Sequence, residues 1–358
     1  MKIFTVIGAR PQFVKAAALS RVFKQHADIE EIVVHTGQHF DYNMSKVFFD
    51  EMKIKKPSIN LDINGVSHGK MTGRMIEKLE EQMMLIQPDV VLLYGDTNST
   101  LAGSIAASKL GIKVAHVEAG LRSFNMNMPE EINRILTDRV SSFLFCPTTV
   151  AENNLKREGY NHLDVNVEVV GDVMYDAALH YQSEIEVGDV SKWNLEKEYI
   201  LCTLHRAENT DTEIKLRTIV DTLNALHKNV KQIVMPLHPR TKQKLIEYGL
   251  TLDVMTIDPV GYFDMIRLMN NSTLIMTDSG GVQKEAYFFK KKCITLRSET
   301  EWTELVDEGV NVLTEIDQSQ IENKVKDMLG KVVSFDNELY GTGNAAFKIC
   351  EILRKNIN

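Results

Sequence analysis

The sequence predicts an α/β protein of two Rossmann-like domains, each a parallel sheet flanked by helices, with the carboxyl edges of both sheets facing a central cleft. Three observations carry this reading. Short apolar runs such as Val90–Tyr94 recur along the chain, each closed by a turn, as strands buried on both faces require. Segments of helical period alternate with these runs. The alternation restarts after Gly171-Asp172, so residues 1–171 and 172–342 each hold a set of strands and helices. A last helix within 343–358 is expected to pack back on the first domain.

In the first half, Ile3–Ile7 is the opening strand, and Gly8-Ala9-Arg10-Pro11 is the turn after it. Phe13 to Phe23 has helical period, and Glu31–His35 is the second strand. Helices are expected around Met44–Met52 and from His68 to Ile86. Gly95 closes Val90–Tyr94, and Asp96-Thr97 opens a helix that runs to Lys109 and stops at Gly111, a residue suited to a C-terminal turn. Ile112–Val117 is the next strand, and Glu118-Ala119-Gly120 turns out of it. Pro129 then starts a helix with Glu130 and Glu131 in its first turn. Phe143–Pro147 and Val167–Val170 complete this half.

The polar, unperiodic stretch 183–197 separates the second half from what precedes it. There the strand Tyr199–Leu204 ends in His205-Arg206, Gln232–Met235 leads to His238-Pro239-Arg240, and Thr273–Thr277 ends in Asp278-Ser279-Gly280-Gly281. Val254–Ile257 and Lys292–Leu296 are further strands. Glu213–Lys228 and Phe263–Met269 are helices between them. No repeat or low-complexity tract interrupts the pattern.

Composition narrows the function classes. A net charge of −8 argues against nonspecific nucleic-acid binding, which needs a basic face. The four cysteines are scattered without a CxxC pair, and three lie in apolar stretches, so they read as small core residues of a reducing, cytoplasmic protein. The apolar run near the N-terminus is too short for a signal peptide, and no stretch is long enough to span a membrane.

The candidate chemistry gathers at strand ends. A right-handed crossover between parallel strands brings the turns at Asp96 and Glu118 to one carboxyl edge, where open α/β sheets bind ligands. Glu130 and Glu131 follow, with Arg122 and Arg134 among them. Taken singly, an Asp at a helix start is usually a cap and a Glu in a first turn usually answers the helix dipole. Arg10 and Lys15 put two cations beside a helix N-terminus, which suits an anion, although the turn is neither GxGxxG nor a P-loop. In the second half Ser279 can cap a helix, while Gly280 and Gly281 let backbone N–H groups approach a diphosphate. Glu285, two turns in, is placed for ribose hydroxyls. His205 and His238 lack the spacing of a metal pair and read instead as donors to a phosphate or leaving-group oxygen, so no metal is expected. Trp302 is a core or cleft aromatic.

Taken together, GARPQF (8–13), GDTNSTLAG (95–103), HVEAGLRS (116–123), PEEINR (129–134), TLHRAEN (203–209) and DSGGVQKEA (278–286) resemble the non-hydrolysing UDP-N-acetylglucosamine 2-epimerases, in order and over nearly the whole chain. The resemblance implies a GT-B-like fold, a homodimer, a UDP-sugar substrate, and neither metal nor nicotinamide. It implies substrate-binding roles for Arg10 and Lys15, and catalytic roles for Asp96, Glu118, Glu130 and His205. His238 is a further candidate substrate contact. Ser279, Gly280, Gly281 and Glu285 match the nucleotide site, and Val260 and Met265 fall where the family holds the uracil. There are departures: TERPE is here Thr300-Glu301-Trp302-Thr303-Glu304, QHR is Gln38-His39-Phe40, and HRRE is His205-Arg206-Ala207-Glu208. These bear on the sugar's identity and on binding of a second substrate molecule. The expected reaction interconverts UDP-GlcNAc and UDP-ManNAc through a 2-acetamidoglucal. The alternative substrate is UDP-2,3-diacetamido-2,3-dideoxyglucuronate. Alternatives of another class are a GT-B glycosyltransferase and a non-catalytic UDP-sugar-binding protein.

Overall fold

A computed structural model describes residues 1–38, 56–184 and 190–357. The helix expected around Met44–Met52, with His39 and Phe40, lies outside them. The chain divides into two compact units, Met1–His180 with Glu338–Asn358, and Tyr181–Asn337.

The strands of the first unit are β1 (Lys2–Ile7), β2 (Glu30–His35), β3 (Ile59–Asn60), β4 (Val90–Tyr94), β5 (Lys113–Val117), β6 (Phe143–Cys146) and β7 (Asn166–Val169). They form one sheet in the order β3-β2-β1-β4-β5-β6-β7, parallel throughout. Strand order reverses between β1 and β4, and the turns leaving these two strands carry Arg10 and Asp96. In an open α/β sheet such a reversal leaves a crevice at the carboxyl edge. Phe4, Val6, Val91 and Leu93 pack one sheet face against Met75, Leu79 and Met83 of the helix His68–Ile86. That helix presents its apolar residues at the spacing of one face.

The second unit repeats the scheme with β8 (Ile200–Thr203), β9 (Ile233–Pro236), β10 (Met255–Ile257), β11 (Leu274–Thr277), β12 (Lys292–Thr295) and β13 (Asn311–Leu313). Their order is β10-β9-β8-β11-β12-β13, again parallel, with the reversal between β8 and β11. His205 follows β8, and Asp278-Ser279 follows β11. A separate core, built on Ile200, Cys202, Leu274, Met276 and Ile294, is covered by Leu216, Leu223, Ile321 and Val325 from flanking helices. Two parallel-sheet units of Rossmann type make this an α/β, GT-B-like chain.

The first unit extends to His180, nine residues past Gly171. Asp172 does not end a domain but starts the helix Val173–Glu184, its Oδ1 accepting the Met174 N–H at 2.7 Å. Asp176 of that helix then accepts the backbone N–H groups of Ala345 and Ala346 at 3.1 and 2.7 Å. This caps the closing helix Ala345–Ile357, which packs against the helix Arg10–Phe23 in the same unit. All four cysteines are buried and unpaired. No helix among the described residues is long and apolar enough to cross a membrane.

Candidate active site

On the first unit the site grows from three turns at neighbouring strand ends. The β1 turn is held by Gln12, which is buried and uses its whole amide. Its Oε1 accepts the N–H groups of Gly8 and Ala9 at 2.7 and 3.0 Å, and its Nε2 donates to the Tyr94 carbonyl at 2.7 Å and towards Thr97 and Thr100. The β1 and β4 turns are thereby fixed to each other. Gly8 is needed there, because a Cβ would lie 2.1 Å from Ser99 Oγ and 2.3 Å from Thr36 Oγ1. Gln38 accepts from the Ser99 backbone and hydroxyl at 3.1 and 2.8 Å. Arg10 opens the helix, and its side chain lies outside what is described.

Lys15, one turn further on, forms a buried ion pair with Glu118. Glu118 sits at φ 71°, in the left-handed region that costs a non-glycine residue about 1–3 kcal/mol and recurs at functional sites. Gly95, also left-handed at φ 64°, leaves room for this pair: a Cβ would stand 3.2 Å from Glu118 Oε2 and 3.3 Å from Lys15 Nζ. Asp96 does not cap its helix. Thr97 does, accepting from Thr100 N–H at 3.3 Å, and Asp96 instead takes the guanidinium of Arg134 at 2.6 Å. The other arm of Arg134 reaches Glu131 at 2.7 Å.

The two glutamates after Pro129 therefore have different roles. Glu131 is wholly buried and accepts from the Ser123 and Phe124 N–H groups, both at 2.9 Å, which holds the loop ahead of the helix. Glu130 is exposed in the same first turn.

Beneath these turns lies a buried charge network centred on Asp138. His116 Nδ1 lies 2.6 Å from Asp138 Oδ1 and its Nε2 2.8 Å from the Gly95 carbonyl oxygen, so the ring bridges the two. Asp138 Oδ2 accepts from Gly120 N–H at 3.1 Å and Arg122 Nη1 at 2.7 Å, and Arg122 continues to Glu158. Burial alone would raise the Asp138 carboxyl, but His116 and Arg122 outweigh it and hold it below the usual carboxylate range. Arg122 is likewise pulled down by burial and held above its ordinary value by Glu158 and Asp138. One buried carboxylate thus fixes both the Gly95-Asp96 turn and the Glu118-Gly120 turn. Arg122, expected among the site's cations, belongs to this network, and His116 and Asp138 are positioning residues that strand periodicity does not distinguish from core.

On the second unit the corresponding edge is made of backbone donors. Asp278 is fully buried and accepts the N–H groups of His205 at 3.1 Å and Arg206 at 2.9 Å. This fixes the turn after β8 and leaves the His205 side chain 39% exposed, its Nδ1 3.6 Å from Asp278 Oδ1. His238 lies beside it, ring centroids 5.4 Å apart, and caps its own helix by accepting Arg240 N–H at 3.2 Å. Ser279 occupies the N-cap position of the helix Gly280–Phe288, but its hydroxyl makes no capping bond, so the first N–H groups of the helix are not taken by it. Gly280 admits the Glu301 carboxylate: a Cβ would lie 2.4 Å from Glu301 Oε1. Glu285 is buried on this helix, and Val260 and Met265 are half-buried just after β10.

Trp302 is core-like at 4% exposure, with Lys284 Nζ 4.2 Å from its ring centroid. Arg297, 5% exposed and 3.3 Å from Glu301, is a further guanidinium at this edge. Only its place after β12 could have marked it in advance. Among the described residues, His26, Cys350 and Glu351 bring potential metal-donor atoms within 4.8 Å of one another. Burial pushes the Cys350 thiol up to about 11, and Arg354 bonds Glu351 at 3.0 Å, both unfavourable to a cation.

The family model described as UDP-N-acetylglucosamine 2-epimerase matches residues 21–354. The chain belongs to the UDP-N-acetylglucosamine 2-epimerase family. It is 53% identical over 357 residues to the UDP-2,3-diacetamido-2,3-dideoxy-D-glucuronate 2-epimerase of Pseudomonas aeruginosa, covering 99% of this chain and 100% of that one. The solved structure of Methanocaldococcus jannaschii UDP-GlcNAc 2-epimerase in complex with UDP-GlcNAc and UDP superposes with a TM-score of 0.91 at 41% identity, covering 99% of this chain and 100% of that one. The Neisseria meningitidis UDP-GlcNAc 2-epimerase bound to UDP-GlcNAc gives 0.90 at 31% identity, with coverage of 99% and 100%. As a family member the chain is an enzyme, an isomerase of the UDP-sugar 2-epimerase class.

Proposed function

We propose that this UDP-sugar 2-epimerase is non-hydrolysing, works as a cytoplasmic homodimer, and inverts C2 of UDP-2,3-diacetamido-2,3-dideoxy-D-glucuronate. The observation that carries the reaction type is the pair Asp96 and Glu118 at adjacent strand ends, each held by a cation and both fixed from below by Asp138. The sugar assignment rests on the 53% identity to an enzyme of that name over the whole length. UDP-GlcNAc is the second reading, favoured by the similarity to structures that hold it.

C2 of a 2-acetamido sugar carries a proton with no adjacent carbonyl, so its removal alone would leave an unstabilised carbanion. Loss of UDP from C1 solves the problem. A carboxylate takes the C2 proton, the C1–O bond breaks with its electron pair passing to UDP, and a C1=C2 glucal remains. A proton then enters C2 from the opposite face while a diphosphate oxygen of UDP attacks C1. Asp96, Glu118 and Glu130 are the acid–base candidates. Arg10, Lys15, His205, His238 and the Ser279–Gly281 amides answer charge on the departing diphosphate. Glu285 holds the ribose, and Val260 and Met265 the uracil.

Incubation with each nucleotide-sugar alone, followed by proton NMR, tests the proposal. The diacetamido-uronate should equilibrate with its C2 epimer with no net release of UDP. Turnover of UDP-GlcNAc alone would favour the second reading, and stoichiometric release of UDP would contradict a non-hydrolysing enzyme.

A further inference from the structure

The second unit has a cavity of about 550 Å³ at the amino edge of its sheet, away from the edge that carries His205 and Ser279. Lys231 and Thr273 in its wall stand just ahead of β9 and β11, and Lys292 is the first residue of β12. A four-residue strand separates this rim from the opposite edge by about 13 Å. The size lies within the range of small-molecule pockets, about 300–1,000 Å³.

Its charge is unlike that of the rest of the chain. Five lysines line it, Lys231, Lys290, Lys291, Lys292 and Lys331, in a protein of net charge −8. The one lining carboxylate, Glu198, is bonded by Lys231 at 2.5 Å. Lys292 donates to the carbonyls of Leu329 and Lys331 at 3.2 and 2.9 Å, and Lys331 donates to the Gly309 carbonyl at 2.9 Å. Carbonyls satisfy these ammonium groups but do not neutralise them. Lys290 and Lys291 make no ion pair or side-chain hydrogen bond among the described residues.

Burial depresses Lys291, and Lys292 is depressed by burial and by the charge of Lys331. Lys290 also holds φ 55°, a strained conformation for a residue with a Cβ. Five like charges gathered in a concavity with one acid among them repel one another unless an anion joins them. The lining also has an apolar part, from Leu329, Val333 and Phe335.

We propose that this cavity is a second binding site, distinct from the epimerase chemistry, for a small organic phosphate carrying two or more negative charges. Lysine suits this task as a set of mobile point charges, and the apolar part of the lining receives the organic part.

The test is calorimetric titration of the full-length protein with ADP and with inorganic pyrophosphate, with the double variant below separating this cavity from the nucleotide elements after β11. One ADP per chain is expected, bound more tightly than pyrophosphate and weakening as salt is raised. The double variant Lys290→Gln/Lys291→Gln should lose at least about tenfold in ADP affinity, by the weight of two charge-assisted contacts. It should keep wild-type epimerisation, and its unliganded melting temperature should not fall, because the substitutions relieve repulsion. Absence of ADP binding, binding unchanged in the double variant, or tighter binding of pyrophosphate would each overturn the assignment.

Discussion

In the proposed reaction the two units use one topology for two kinds of chemistry. Each sheet reverses its strand order once, and each places the proposed functional groups on turns at that reversal and at the next strand along. In the first unit those turns carry ionised side chains in cation–anion pairs: Glu118 with Lys15, and Asp96 with Arg134. In the second unit they carry backbone N–H groups, two histidines and a glycine-started helix, and the buried carboxylate Asp278 organises the backbone. The difference teaches how a repeated scaffold divides labour. Side-chain acids that must gain and lose protons need individual partners, whereas a diphosphate is answered by fixed dipoles that need no titration.

Several substitutions can break or sharpen this contrast. The largest effect is expected from Glu118→Gln or Asp96→Asn in the first unit. Turnover should fall by about 10²–10⁴-fold, while UDP affinity measured by calorimetry stays within a factor of about three. Equal loss of UDP binding would erase the division of labour.

Next comes Asp138→Asn, which leaves His116 and Arg122 buried around a neutral amide. A broken buried ion network costs about 3–5 kcal/mol, to be read from urea unfolding at neutral pH. The sign with pH follows from the direction of the shift. Asp138 is held below its ordinary value of 3.8, so the wild-type advantage is complete above that value. It should shrink as pH falls further, through the lower folded value. An advantage that grows in acid would contradict the network.

His116→Gln should act on rate rather than binding. Loosening the Gly95 carbonyl displaces Asp96, and a misplacement of about 1 Å is worth about 10²-fold in kcat. The pH–rate profile should move while KM changes little; a simple loss of folded protein would leave both unmoved in the surviving fraction.

The smallest effect belongs to the second unit. Gly280→Ala would bring a Cβ to 2.4 Å from Glu301 Oε1 and should weaken UDP about tenfold, a loss of one or two hydrogen bonds. The rate of the bound sugar should be nearly unchanged at saturation.

How much of this could be read in advance depended on local signals. Val90–Tyr94 is a strand with the boundaries its apolar run implies, and His68–Ile86 is the helix its period implies. The edge strands Ile59–Asn60 and Asn311–Leu313 are too short to leave a pattern, because pairing with a neighbour rather than sequence makes them strands. Gly171-Asp172 looked like a break because a turn and a helix cap share the same residues, and only the bonds from Asp172 and Asp176 distinguish them.

Of the proposed site residues, Asp96, Glu118 and Ser279 stand in strand-end turns as the sequence implies, since such turns are contiguous in sequence. What could not be read were contacts across long separations. Gln12 meets Tyr94 and Thr97, His116 meets Asp138, and Asp278 meets His205. Each is a polar residue whose alternative is an ordinary core or capping position, and each gains its role from a neighbour some twenty to eighty-five residues away. Asp96 itself departs from the usual cap because Thr97 takes that place.

The most direct test of the account follows the sugar's own hydrogen. Wild-type enzyme is incubated with UDP-2,3-diacetamido-2,3-dideoxy-D-glucuronate in deuterated water and the C2 signal is followed by proton NMR. The account predicts deuterium at C2 of the epimer, with no lasting free UDP, and labelling and epimer both slowed about 10²–10⁴-fold with Glu118→Gln. An epimer that keeps its original hydrogen at C2 would contradict it.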